Sequence, residues 1–216
     1  AIEQSMGAEA AQAVNELAGL NGVLEATQRL PLLEIALPAL HRQPAEVLQR
    51  MLAAVDAMIR VDGKVDVFEY LLARLVRQYL WESANPGKVR LAGNRSLSQR
   101  RPEVRDVLAV MAWHGQRDDP VAALKAYRLA VGEALGEIPE ALPAPLTESA
   151  DWITPLDRSL DRLDELTAAG KEKLLRALAL CVRFDDQLIP VEVELLRAVC
   201  SALHVPIPAL VASAQR

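Results

Sequence analysis

An all-α, multi-helix bundle is the fold class the sequence predicts, and three observations predict it. Apolar residues recur at i, i+3, i+4 and i+7 through most of the chain, while the strict alternation of half-buried strands is scarce. Prolines (Pro44, Pro102, Pro120, Pro155, Pro190 and Pro208) stand where periodic stretches begin, and a first helical turn accepts a residue with no N–H to donate. A pattern of helix, short acidic break and second helix occurs twice, with Asp62 and Asp185, like Glu69 and Glu192, 123 residues apart.

The elements follow in order. Residues 8–19 predict an Ala-rich, weakly amphipathic helix, and residues 22–42 a second one with a break at Pro31 or Pro38. The most apolar run, Leu30 to Leu40, is interrupted by Pro31, Glu34 and Pro38. It falls short of the roughly 20 apolar residues that span a bilayer, so it reads as a buried helix. Residues 1–43 together read as a helical lead-in or connector, followed by one all-α domain over 44–216.

That domain opens with a hairpin. Leu48, Met51, Leu52, Val55, Met58 and Ile59 form one stripe, Phe68, Leu71, Leu72, Leu75, Val76 and Tyr79 form the next, and the two must pack together. Helices are expected at 103–114, 120–135 and 155–167, with a proline-rich linker at 136–150. The second hairpin joins Leu174, Leu178, Cys181 and Val182 to Val191, Leu195, Val199 and Leu203, and a last helix is expected at 207–214. Each repeat supplies only a hairpin, so the two halves are expected to share a core, which would bury far more apolar surface than either alone.

Composition narrows the function. With 216 residues, 51% of them hydrophobic, the chain can bury a substantial core without disulfides or metals. A net charge of −5 argues against nucleic acid as a partner. No stretch looks like a transmembrane span or a signal peptide, and a start at Ala rather than Met suggests a fragment or a processed chain. Cys181 and Cys200 sit at apolar-periodic positions and read as buried, reduced thiols, which would fit a cytosolic location.

One local segment runs against the overall charge. Lys88, Arg90, Arg95, Arg100 and Arg101 lie between Trp81 and Pro102 beside a single acid, Glu82. Either they keep a loop solvated, or they touch anionic lipid headgroups at about 1 kcal/mol for each well-placed cation.

The acidic junctions are the candidate site. Around them Leu52 matches Leu175, Val55 matches Leu178, Ile59 matches Val182 and Arg60 matches Arg183. Gly63 suits a left-handed helix end, and Asp66 lies three residues before Glu69, the spacing of a reciprocal cap. Alternatively Asp56, Asp62, Asp66 and Glu69 converge with Asp185, Asp186 and Glu192 on one acidic surface, the oxygen-rich kind that takes Ca²⁺ or Mg²⁺ or contacts a partner. The spacing is not an EF-hand. The second copy also carries Ala179 where Asp56 stands and Ile189 where Asp66 stands.

Nothing here predicts catalysis. His41, His114 and His204 are isolated, no zinc-ligand spacing occurs, and His-Glu-x-x-His, Gly-x-Ser-x-Gly and phosphate-binding glycine loops are absent. The chain itself is therefore expected to act without a cofactor and not as an enzyme.

The segment Asp56-Ala57-Met58-Ile59-Arg60-Val61-Asp62-Gly63-Lys64-Val65-Asp66-Val67-Phe68-Glu69 resembles the acidic motif of the TerB-like, tellurite-resistance family. Leu30-Pro31-Leu32-Leu33-Glu34-Ile35-Ala36-Leu37-Pro38-Ala39-Leu40 and the stretch from Ala57 to Tyr70 are similar to the start and first hairpin of the C-terminal cytoplasmic tails of bacterial HtpX-like membrane zinc metallopeptidases. The second resemblance covers most of the chain. It implies a non-catalytic accessory domain at the cytoplasmic face of the inner membrane, serving regulation, oligomerisation or substrate binding in protein quality control. Zinc would then belong to an upstream peptidase domain, itself the expected partner alongside other proteins, a second copy, or an anionic membrane surface. The TerB-like motif implies metal or partner contacts at Asp56, Asp62 and Glu69, and at Asp185 and Glu192. Its own family reading is a metal-responsive stress protein; a helical interaction scaffold is the third alternative.

Overall fold

The computed structural model describes residues 2–21, 26–40, 42–59, 67–88, 92–143 and 152–208. Among these residues the chain forms ten α-helices: α1 (Ile2–Met6), α2 (Ala8–Asn21), α3 (Ala26–Leu40), α4 (Ala45–Ile59), α5 (Val67–Ala84), α6 (Arg101–Gly115), α7 (Pro120–Leu135), α8 (Ile153–Leu163), α9 (Ala168–Val182) and α10 (Pro190–Ala202). Short 3-10 turns lie at Pro86–Lys88 and Leu97–Arg100. The fold class is therefore all-α, as periodicity predicted. None of the described helices is long and apolar enough to cross a membrane.

The chain packs as two compact units, Ala1–Val89 and Arg90–Arg216. Residues 1–43 fall inside the first and the 136–150 stretch inside the second. Each sequence hairpin thus lies in a different unit.

In the first unit α1 lies against α2 and α4, α4 against α5, and α3 against α5. Leu37 of α3 packs with Val76 and Leu80 of α5, and Leu33, Leu40, Leu48, Leu52 and Tyr79 close around them. This contact explains one departure from expectation. Pro31 and Pro38 both lie inside an unbroken α3. Each removes one backbone bond and crowds the preceding turn, at a cost of about 3 kcal/mol. Burial of Leu37, with Leu33 and Leu40 packed beside it, offsets that cost and holds the helix through both prolines.

In the second unit α6 is the central element, burying Val104, Val107, Leu108, Ala109, Val110, Met111 and Ala112. Helices α7, α8, α9 and α10 pack around it. Along α7 the buried positions Ala123, Ala126, Ala130 and Ala134 are all small, which lets that helix approach α6 and α9 closely. Asp119 caps α7 by accepting from the Val121 and Ala122 N–H groups at 2.9 Å each. Gly136 ends the same helix in a left-handed conformation, φ 71°, that a side chain would strain.

Helix α8 stops at Leu163 rather than continuing to residue 167. Thr167 has extended backbone there and caps α9 by accepting from the Gly170 N–H, so it cannot also be helical in α8. The expected helix at 207–214 falls mostly outside the described residues; Ile207 and Pro208 are not helical.

Candidate functional site

At the first acidic junction, Asp62, Gly63 and Asp66 lie outside the described residues, so the proposed cap has no described geometry. Asp56 on α4 accepts from Arg77 on α5, an ion pair about 40% exposed on each side. Such a pair contributes at most about 1 kcal/mol, because water screens it. Glu69 sits partly buried in the first turn of α5, where a carboxylate is favoured by the helix dipole, and is itself engaged.

The second junction is built in detail. Helix α9 ends with Cys181 and Val182 buried, and Asp186 takes a left-handed turn conformation, φ 57°, exposed to solvent. Asp185 accepts from the Gln187 N–H at 3.0 Å and from Gln116 Nε2 at 2.8 Å. The Gln116 hydrogen bond is the main reason its carboxyl is held below the usual range. Glu192 is only 2% exposed. Its Oε2 accepts from the Ile189 N–H at 3.2 Å, tying the start of α10 to its own first turn. Burial, with the Asp185 charge adding to it, pushes the Glu192 carboxyl up to about 7.

Gly115 makes room for this. Its missing side chain leaves the space that Glu192 Oε1 occupies at the end of α6, and a methyl group there would collide with it.

These carboxylates are committed to the fold. Among the described residues no three His, Cys, Asp or Glu side chains converge to hold a metal ion. A hard cation needs about six to eight oxygen ligands. Asp56 meets Arg77, Asp185 meets Gln116, and Glu192 meets the Ile189 N–H.

From Gly93 onward the basic segment is held to the turn after α8 by backbone hydrogen bonds. Gly93 and Arg95 donate their N–H groups to the Leu166 and Glu165 carbonyls, and Thr167 donates back to Arg95, all at 2.8–2.9 Å. A side chain at Gly93 would strike the Glu165 backbone. Arg100 pairs with Glu165, which Arg95 also approaches at 4.0 Å, while Arg101 and Arg105 pair with Glu137. Lys88 is exposed in its turn and Arg90 lies outside the described residues.

Several polar placements were not foreseen. Lys171 is 1% exposed, and its Nζ donates to Asp164 Oδ1 and to the Leu203 carbonyl, both at 2.7 Å. His204 Nδ1 meets the same Asp164 oxygen at 3.1 Å. Glu103 is buried beneath Arg162, 2.8 Å away. Burial raises its carboxyl, and the hydrogen bond and charge of Arg162, together with a backbone hydrogen bond and the Arg100 charge, more than reverse this. Asp106, raised by burial, accepts from Ser159 at 2.9 Å.

Cys181 and Cys200 are free and buried, with burial pushing both thiols up, Cys200 to about 12. His114 meets Trp152 edge-on at 4.9 Å; His41 lies outside the described residues. A cavity of about 340 Å³ between the 97–100 turn, the end of α7 and the start of α9 has Ser96, Ser98, Arg101, Thr167 and Lys173 as its polar lining. That lining contains hydroxyls and cations but no carboxylate or imidazole to act as a general base. Comparison with protein-family models, curated proteins and solved structures returns no match for this chain.

Proposed function

We propose that this chain is a non-catalytic helical accessory module that works by binding a partner protein. The partner class follows from the resemblance to HtpX-like tails: the membrane-embedded part of a zinc metallopeptidase, at the cytoplasmic face of a bacterial inner membrane. The observation that carries the reading is the outward side of α3. Its inward residues Leu33, Leu37 and Leu40 serve the core, yet Leu32 and Ile35 are 49% and 76% exposed beside exposed Ala36 and Ala39. Helix α2 similarly exposes Val14 and Leu17. A helix apolar on both sides fits a module that covers its second side with another protein.

The test uses Ile35→Asp and Leu32→Asp, which change exposed positions and should leave the far-UV circular dichroism and melting temperature of the chain unchanged. The wild-type chain should co-purify with a tail-less HtpX-like peptidase in detergent, and both variants should lose at least tenfold in affinity, about 1.4 kcal/mol. Failure of the wild-type chain to bind, or binding indifferent to both substitutions, would sink the proposal.

A further inference from the structure

Glu192 and its surroundings carry an inference independent of the partner reading. We propose that the α9–α10 junction is a proton-operated latch: Glu192, seated neutral against the last turn of α6, holds the start of α10 in place, and its ionisation loosens that start.

The geometry argues this from three sides. Glu192 lies in the first turn of α10 yet is nearly inaccessible, so an anion there is cut off from water. Its carboxyl rests at Gly115, the last residue of α6, where the final turn presents the negative end of a helix dipole. Asp185, fixed as an anion by Gln116 and the Gln187 N–H, adds a like charge. Against these, a single donor, the Ile189 N–H, favours the ionised form.

Among the described residues, Asp185 is the charged group that acts on Glu192. Cys181 at the end of α9 is buried and kept neutral. Asp186 in the turn is a further acid, and Glu194 follows two residues along α10. His114 stands one residue from Gly115 with its ring against Trp152, and Arg183 is exposed in the turn. The position of the Glu192 carboxyl, up at about 7, agrees with this arrangement.

The sign follows from linkage. A carboxyl that holds its proton more tightly in the fold than in the unfolded chain favours the fold at acid pH. That advantage is lost as pH rises from the ordinary glutamate value of 4.5 through about 7. Over that window the group should change the folding equilibrium constant by about 300-fold, and α10 amides near Glu192 should exchange faster once pH effects on intrinsic exchange are removed.

Three measurements on the full chain test this. The ¹³Cδ resonance of Glu192 should titrate near neutrality, and Asp185→Asn should move its midpoint downward. Denaturant melts of Glu192→Gln, which keeps the shape and an acceptor for Ile189, should lack the loss of stability that the wild type shows between pH 5 and 8. A wild-type Glu192 that titrates in the ordinary carboxylate range would overturn the proposal, even if the variant failed to fold. So would parallel pH dependence of stability in the wild type and Glu192→Gln.

Discussion

Removing the buried amine of Lys171 should cost less than removing the carboxylate that faces it. Lys171 is 1% exposed and donates to Asp164 and to the Leu203 carbonyl, while the Asp164 side chain is 31% exposed. Asp164→Ala removes the carboxylate that Lys171 and His204 both meet, and deleting one partner of a buried ion pair costs about 3–5 kcal/mol. Lys171→Met removes that charge and fills the same space with an unbranched apolar chain. Asp164 then keeps its access to water and its contact with His204, and the main loss is one donor to the Leu203 carbonyl, about 1–3 kcal/mol. The double variant should be no less stable than Asp164→Ala alone, since the buried ammonium is gone as well, giving a coupling of about 2 kcal/mol. Urea melts followed by far-UV circular dichroism at pH 7 measure all four proteins of the cycle. If Lys171→Met is the more damaging single change and the double variant is additive, the amine is not the buried, partner-dependent charge that its geometry implies.

Two further outcomes follow from the carboxylates and the thiols. Millimolar Ca²⁺ or Mg²⁺ should leave the melting temperature unchanged, whereas a site filled at 100 times its dissociation constant would add about 2.7 kcal/mol. A saturable rise that disappears in Asp185→Asn would restore the metal reading. Cys181 and Cys200 should resist a thiol reagent such as DTNB at pH 8 and react in urea, because both are buried with thiols pushed up. Rapid stoichiometric reaction of the native chain would show that the α9–α10 region opens far more readily than its packing allows.

Where periodicity and a cap coincide, the sequence is a good guide to the helices. Pro120 with Asp119 before it and Gly136 after it brackets α7 at 120–135, the range predicted from the pattern. The end of α8 shows the opposite case. Leu160, Leu163 and Leu166 keep a helical spacing and all are buried, but Leu166 belongs to the turn that bonds to Gly93. Apolar spacing records burial, and a buried turn satisfies it as well as a helix does. For α3 the prolines carried the stronger local signal, and the contact of Leu37 with α5, over 30 residues away, overrode it.

The junctions separate what spacing can and cannot say about chemistry. That a glutamate three residues into a helix reaches back to the chain before it is a local matter; the sequence offered that cap at Asp66 and Glu69, and among the described residues Glu192 makes the reaching-back half of it to the Ile189 N–H. Whether that carboxylate is wet or dry is not local. It depends on Gly115, 77 positions away, which leaves the space its oxygen fills, and on Gln116, which fixes the charge of Asp185 beside it. The same holds for Lys171: it stands one turn before Leu174 in the stripe of Leu174, Leu178 and Cys181, but its burial and its pairing with Asp164 and Leu203 arise only when α8 and α10 close over α9. Repeated acidic residues at constant spacing thus identify where helices begin. The chemistry of each copy is set by the helix that packs against it, which is why Glu192 can hold a proton near neutrality on a spacing that elsewhere would serve only as a cap.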